Sequence, residues 1–431
     1  MTKPDTLCLA PWVHTYLSPQ TERRMCCASR EPAQNFQQYI DTGAGTGKYI
    51  PITLDEHWNG EHMKSVRRRM MAGETLPECE VCNDKLLNTS VYRSYFDHLF
   101  SDKYLKVVQS TDTTGYTTMK PVSWDYRFTN LCNFKCRTCG DMLSSSWETE
   151  QKQHNMIDWN NPKNFWMQPE VKKQIEQFQH TQIEEEFSRA VEDHRVEEVY
   201  WVGGEPLMYE QHWRYMRRII ELGDGSNVYA RYNTNLSRTN FGNVNLYSDI
   251  LQHLRDWQIC ASIDGTGKIG EYIRTGLRYD KWLENFREGI AYSTHRRQMR
   301  IDFTLTLPGM FEVERIEQLS QELDVDVLAK VIFSFSPDII MSPLALPREI
   351  LHPWVDEITD QLKVSGSALR DILVQLKTRP TFQEQWPNEY QTALVKGKAR
   401  VLKLEQIRTQ STTMTDILSQ RPDVLKWWIS I

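Results

Sequence analysis

From about residue 120 the sequence alternates short runs rich in β-branched and aromatic residues with longer stretches of helical periodicity. The runs at 122–128, 198–202, 228–232, 258–263, 301–307 and 331–335 predict six strands. The stretches at 209–222, 282–292 and 313–323 predict helices that cross between them. Right-handed crossovers place such strands in one parallel, curving sheet, so the expected class is α/β and the six strands make a partial (β/α)6 barrel.

The flanks read differently. Residues 1–115 carry cysteines and no steady period, as in a small domain that needs metal to fold. Residues 116–345 hold the barrel pattern, and 346–431 read as a helical C-terminal extension. Between the first two strands lies a long polar insertion, 141–195, with Trp147, Trp159 and Trp166. A connection of that length has structure or function of its own, either as a helical elaboration of the fold or as a lid.

Composition narrows the classes without choosing one. The chain has 431 residues, enough for two or three domains with full cores. No signal peptide opens it and no run of eighteen apolar residues interrupts it, so a soluble, cytoplasmic protein is expected, with no membrane partner. A formal charge of -6, with acids and bases nearly balanced, gives no electrostatic footprint for nucleic acid; Arg67, Arg68 and Arg69 form the densest basic run.

The nine cysteines, at 8, 26, 27, 79, 82, 132, 136, 139 and 260, carry more. Their number is odd, so they cannot all pair as disulfides within one chain, and in a reducing compartment clustered cysteines point to metal ligation or redox chemistry. The densest set, Cys132, Cys136 and Cys139, follows the first predicted strand, at the C-terminal mouth of the sheet where active sites gather. Three thiolates at this spacing can hold three irons of a cubane 4Fe-4S cluster and leave the fourth open to an external ligand. The competing readings are buried cysteines or a zinc site, and zinc wants a fourth nitrogen or sulfur that no neighbouring histidine supplies.

The run CNFKCRTCG, residues 132–140, resembles the cysteine signature of the radical S-adenosylmethionine superfamily, in which the cosubstrate chelates the open iron. Further segments match that family in order. Gly203, Gly204 and Glu205 of the WVGGEP turn are similar to its GGEP element, where bare backbone approaches the methionine amino group. Thr234 and Asn235 resemble its TNG-like turn near the cosubstrate. Ser262, of SIDG, and Arg274, of YIRTG, resemble residues that meet the ribose and the methionine carboxylate, the latter as a planar fork. Thr138 stands where many members place an aromatic residue against the adenine. The resemblance implies reductive cleavage of S-adenosyl-L-methionine to a 5'-deoxyadenosyl radical that takes hydrogen from a substrate, peptide or small molecule. It also implies an electron donor such as flavodoxin or ferredoxin.

Cys8, then Cys26 and Cys27, then Cys79 and Cys82 supply four ligands and one spare. The segment from LDEHWN at residue 54 through Arg67 to GETLPEC at residue 73 resembles the SPASM and twitch auxiliary-cluster domains, which normally follow the barrel and here precede it. The resemblance implies a second 4Fe-4S cluster on Cys8, Cys26, Cys79 and Cys82, with Cys27 as the alternative to Cys26; a zinc ribbon is the competing reading. Cys260 lies two residues before Ser262 on one predicted strand, so both side chains share a face. A thiol there is either a small buried hydrophobe or a hydrogen donor to a substrate radical. The reading from another class is a non-enzymatic zinc or iron-sulfur binding scaffold.

Overall fold

A computed structural model describes residues 4–30, 49–83 and 91–431, so parts of the expected N-terminal domain lie outside the described residues. The chain is a mixed α/β protein built on a largely parallel sheet, and it divides into two compact units. The first comprises Met1–Leu131, Glu148–Arg231 and Ile250–Trp257; the second comprises Cys132–Trp147, Tyr232–Asp249 and Gln258–Ile431.

In the first unit the strands run β1 (His14–Leu17), β2 (Arg23–Arg24), β3 (Ser123–Tyr126), β4 (Glu198–Trp201) and the opening half of β5 (Tyr229–Thr234). Their order is β2-β1-β3-β4-β5. β1 lies parallel to β3 with His14 opposite Ser123, and β3 lies parallel to β4 with Ser123 opposite Glu198. The sequence pattern missed β1 because four residues of the HTYL type are too few to establish a period.

Period-two alternation divides this part of the sheet into two unlike faces. Trp124, Tyr126 and Trp201 project to one side, where they meet Phe187 of the helix Glu184–Glu192 edge-on or tilted, with centroids 5.5 to 6.3 Å apart. Ser123, Asp125, Glu198 and Arg231 carry the opposite polarity. Glu198, fully buried, accepts from Ser123 Oγ, from Tyr95 Oη at 3.0 Å and from Arg231 Nε at 2.9 Å. The Arg231 guanidinium lies between the rings of Tyr95 and Tyr200, 4.0 and 4.2 Å from their centroids. Beside it Arg127 grips Asp125 through Nε at 3.0 Å and Nη2 at 3.1 Å. A third buried pair, Arg23 to both oxygens of Glu186 at 2.9 and 2.6 Å, ties β2 to the helix behind the sheet. Buried charges persist only when paired in this way.

In the second unit β5 ends and is followed by β6 (Asp256–Ile263), β7 (Met299–Leu305) and β8 (Asp326–Val331), in the order β5-β6-β7-β8. β7 is parallel to both neighbours, with Ser262 opposite Asp302 and Arg300 opposite Asp326. The helices Tyr279–Tyr292 and Val313–Glu322 follow as expected. Two strands sit earlier than the pattern predicts. The fifth starts at Met299 and ends at Leu305, because Pro308 opens a tight helical turn. The sixth covers Asp326–Val331 rather than 331–335. Its predicted run is apolar for another reason: Phe335 packs on Trp386 with ring centroids 4.5 Å apart, and Arg379 covers the Phe333 ring at 4.1 Å.

The long insertion is helical, with Ser145–Gln153, Pro169–Phe178 and Glu184–Glu192 joined in part by a π-helical turn at Gln179–Ile183. Beyond Leu346 the chain forms helices including Arg348–Gln361, Ala368–Thr378, Pro387–Arg408 and Pro422–Ser430. Among the described residues no helix is long and apolar enough to cross a membrane.

Candidate functional site

All nine cysteines are free thiols, and they form one group in each unit apart from Cys260. In the second unit the loop bearing Cys132, Cys136 and Cys139 is held on every side by the chain's own hydrogen bonds. Ser145 Oγ accepts from the amide of Cys132 at 3.1 Å, and Ser146 Oγ donates to its carbonyl at 2.7 Å. Ser144 Oγ donates to the carbonyl of Phe134 at 2.6 Å, and the Trp147 indole to that of Cys136 at 2.7 Å. The insertion's first residues thus act as a bracket for the loop, a role its composition did not announce.

A two-residue ribbon fixes the loop's far side: Lys135–Cys136 pairs antiparallel with Arg274–Thr275, placing Arg274 opposite Cys136. Arg274 Nη1 comes within 3.9 Å of Cys136 Sγ while Nη2 binds Asp264 Oδ1 at 2.9 Å. Its Nε is buried without a hydrogen-bond partner. Burial works against the charge on Arg274, but Asp264 and Cys136 outweigh it and raise the guanidinium above its ordinary range. Asp264 is fully buried and also lies 3.5 Å from Thr138 Oγ1, so Thr138 faces an acid.

Asn235 reaches the loop from the end of β5, donating to Asn133 Oδ1 at 2.9 Å with Cys132 Sγ 4.0 Å away. Thr234 Oγ1 accepts from the amide of Leu236 at 2.9 Å and so shapes this turn. Ser262 Oγ donates to Asp302 at 3.3 Å, and Asn233 and Lys330 donate to the same carboxylate at 2.8 and 2.9 Å. Cys260, on the same strand, is buried with its thiol 3.7 Å from Gln258 Oε1. The structure therefore gathers Cys132, Cys136, Cys139, Thr138, Asn235 and Arg274 about one loop, and places Ser262 in a polar cluster centred on Asp302. Neither Asp302 nor Asp264 was singled out from the sequence; Asp264 stands inside the SIDG motif and was legible there.

The WVGGEP turn belongs to the first unit. A Cβ at Gly204 would stand 2.3 Å from the carbonyl oxygen of Leu131, the residue before Cys132, and Glu205 donates its amide to that same oxygen at 2.7 Å. Gly203 adopts φ +123°, open only to glycine. Both glycines are thus required by contacts within the protein, and buried Glu205 caps Leu207 at 3.1 Å.

The second cysteine group also lies in the first unit. Cys8, Cys26, Cys79 and Cys82 line one small pocket together with Met25, Phe96 and Arg93; Cys27 does not. Cys8 sits just ahead of the helix Ala10–Val13, Cys79 closes the turn Pro77–Cys79, and Cys82 lies within the short helix Glu80–Asn83. Burial pushes the thiols of Cys8 and Cys26 up, and the neighbouring cysteines add to it, Cys79 and Cys82 for the former, Cys27, Cys8 and Cys79 for the latter. Cys27, pushed up to about 11 by burial, faces Asp125, Arg127 and Arg231 instead. Cys136 and Cys139 are likewise raised by burial, with Arg274 opposing. Desolvated thiols are the soft donors that iron takes, since a bound cation would remove the proton that burial otherwise retains. Among the described residues no three His, Cys, Asp or Glu side chains converge on one ion position.

The fold and the site define a mixed α/β protein with a cysteine group in each of two units. No protein-family model matches the sequence, and no curated protein matches it. Among solved structures the chain is similar to Streptococcus suis SuiB, whose crystal structure holds the precursor peptide SuiA, at 14% identity and a TM-score of 0.34. The match covers 66% of this chain and spans 64% of the length of SuiB. At that TM-score the likeness carries no weight for function.

Proposed function

We propose that the chain is a radical S-adenosylmethionine enzyme, with Cys132, Cys136 and Cys139 holding a 4Fe-4S cluster and Cys8, Cys26, Cys79 and Cys82 holding a second. The observation that carries this reading is the ribbon that sets Arg274 opposite Cys136, because it brings the YIRTG motif onto the cysteine loop. Held there, such a cluster would supply the electron for reductive cleavage of S-adenosyl-L-methionine to methionine and a 5'-deoxyadenosyl radical.

The chain's own residues do the rest. Arg274, anchored by Asp264, presents a guanidinium with an unpartnered buried Nε to the methionine carboxylate. Asn235 orients the loop at Asn133, and Ser262, held by Asp302, is the ribose contact. Thr138 takes the adenine side. Cys26 is preferred to Cys27 as a ligand because only Cys26 lines the pocket with the other three. The substrate is a peptide or a small molecule, and the reductant a flavodoxin or ferredoxin.

The test is anaerobic reconstitution, dithionite reduction and measurement of 5'-deoxyadenosine. Formation in the wild type, its loss in Cys136→Ala and a paramagnetic signal that changes on adding S-adenosylmethionine are expected. Undiminished 5'-deoxyadenosine from Cys136→Ala would refute the assignment, and iron binding without any cleavage would favour a scaffold.

A further inference from the structure

The pocket formed by Cys8, Cys26, Cys79 and Cys82 is lined by one basic side chain among the described residues, Arg93. Arg93 stands near the start of the helix Val91–Leu99. Its Nη2 donates to Asn83 Oδ1 at 2.8 Å, which clamps one end of the guanidinium to the residue after Cys82. Its Nε is buried and has no hydrogen-bond partner. A buried charged donor left unsatisfied is costly, so the position calls for an acceptor. The acidic side chains nearby do not supply it. Glu78, also in the lining, turns one oxygen to Arg69 at 3.6 Å and leaves the other unpartnered, and Asp97 accepts from the amide of Leu9 at 3.1 Å.

We propose that Arg93 is the positioning cation of the N-terminal cysteine site, its Nε–H donated to a thiolate or sulfide of the iron-sulfur group held there, so that it raises that group's reduction potential. The inference rests on the reading of these four cysteines as cluster ligands. Four thiolates around a 4Fe-4S core leave a net negative charge that grows by one on reduction, and a fixed cation in low dielectric favours the more negative state. Hydrogen bonds to the sulfurs act in the same direction.

The experiment uses the full chain with Cys132→Ala, Cys136→Ala and Cys139→Ala, so that only the N-terminal group is reducible, and follows its redox titration by electron paramagnetic resonance. Arg93→Gln is expected to lower the reduced-to-oxidised ratio about tenfold at the parent midpoint, a 59 mV fall for a one-electron couple. Arg93→Lys keeps the charge but has no Nε–H, and is expected to fall by less. An unmoved midpoint in Arg93→Gln overturns the proposal, because a merely structural arginine would change stability and not potential. Should Arg93→Gln not retain iron, Arg93→Lys decides, and an unmoved midpoint there overturns it equally. A parent protein with no reducible N-terminal group overturns the cluster reading itself, which separates the two failures.

Discussion

Replacing Arg274 by methionine removes the partner of a carboxylate that has no access to solvent. The pair spans 2.9 Å, with 11% of the Arg274 side chain exposed and none of Asp264. What remains to Asp264 is the amide of Thr304 at 3.3 Å and the hydroxyl of Thr138 at 3.5 Å, neither of which carries charge. Breaking a buried pair from one side costs about 3–5 kcal/mol, a large part of the ~5–15 kcal/mol that holds a domain folded. Removing both charges, as in Arg274→Met with Asp264→Asn, relieves the stranded carboxylate. The double variant is therefore expected to lose less than the sum of the singles, by about 1–3 kcal/mol. Urea unfolding of the four proteins of the cycle in one buffer, followed by tryptophan fluorescence, measures this. Additivity to within about 0.5 kcal/mol would refute the coupling and with it the anchoring role given to Asp264.

The C-terminal helices provide a second check. Gln410 accepts from Arg137 Nη2 at 2.6 Å and donates to Thr275 at 3.1 Å, so Gln410→Ala is expected to cost about 1.5–3 kcal/mol and to speed alkylation of Cys136 in metal-free protein. Unchanged alkylation would show that the loop does not depend on this brace. A third concerns acid. Burial, foremost, lowers His14, His57 and His212 to about 3, so each stays neutral in the folded chain while the unfolded chain takes up protons below about 6.5. Stability is expected to fall as pH drops from 6.5 toward 3, by about 1.4 kcal/mol per pH unit for each histidine, and a flat denaturation midpoint across that window would contradict it.

Where a residue's role depends on its near neighbours in sequence, the pattern was legible. Strands β3 to β6 were found within a few residues because their alternation is local, and Arg274 and Asn235, each inside a short motif, lie beside the cysteine loop. Roles set by distant partners were not. The carbonyl that excludes a side chain at Gly204 belongs to Leu131, a residue far off in the sequence. Cys26 and Cys27 are adjacent and chemically identical in sequence, yet only Cys26 lines the pocket with Cys8, Cys79 and Cys82. Asp302 had no signal at all, since its donors Asn233, Ser262 and Lys330 come from three other strands. The run at 331–335 shows the converse failure: its hydrophobicity was real, but it serves the C-terminal helices.

The bracing of the cysteine loop also sets a timetable. Arg408 reaches Thr275 at 3.1 Å across 133 positions, and Arg137 and Gln410 are 273 positions apart. At ~5–20 residues per second, synthesis of that interval occupies roughly 14–55 s. Throughout it Cys132, Cys136 and Cys139 exist as translated polypeptide with one wall of their enclosure still unwritten. The loop's enclosure is therefore complete only after the long helix Pro387–Arg408 and the turn beyond it have docked.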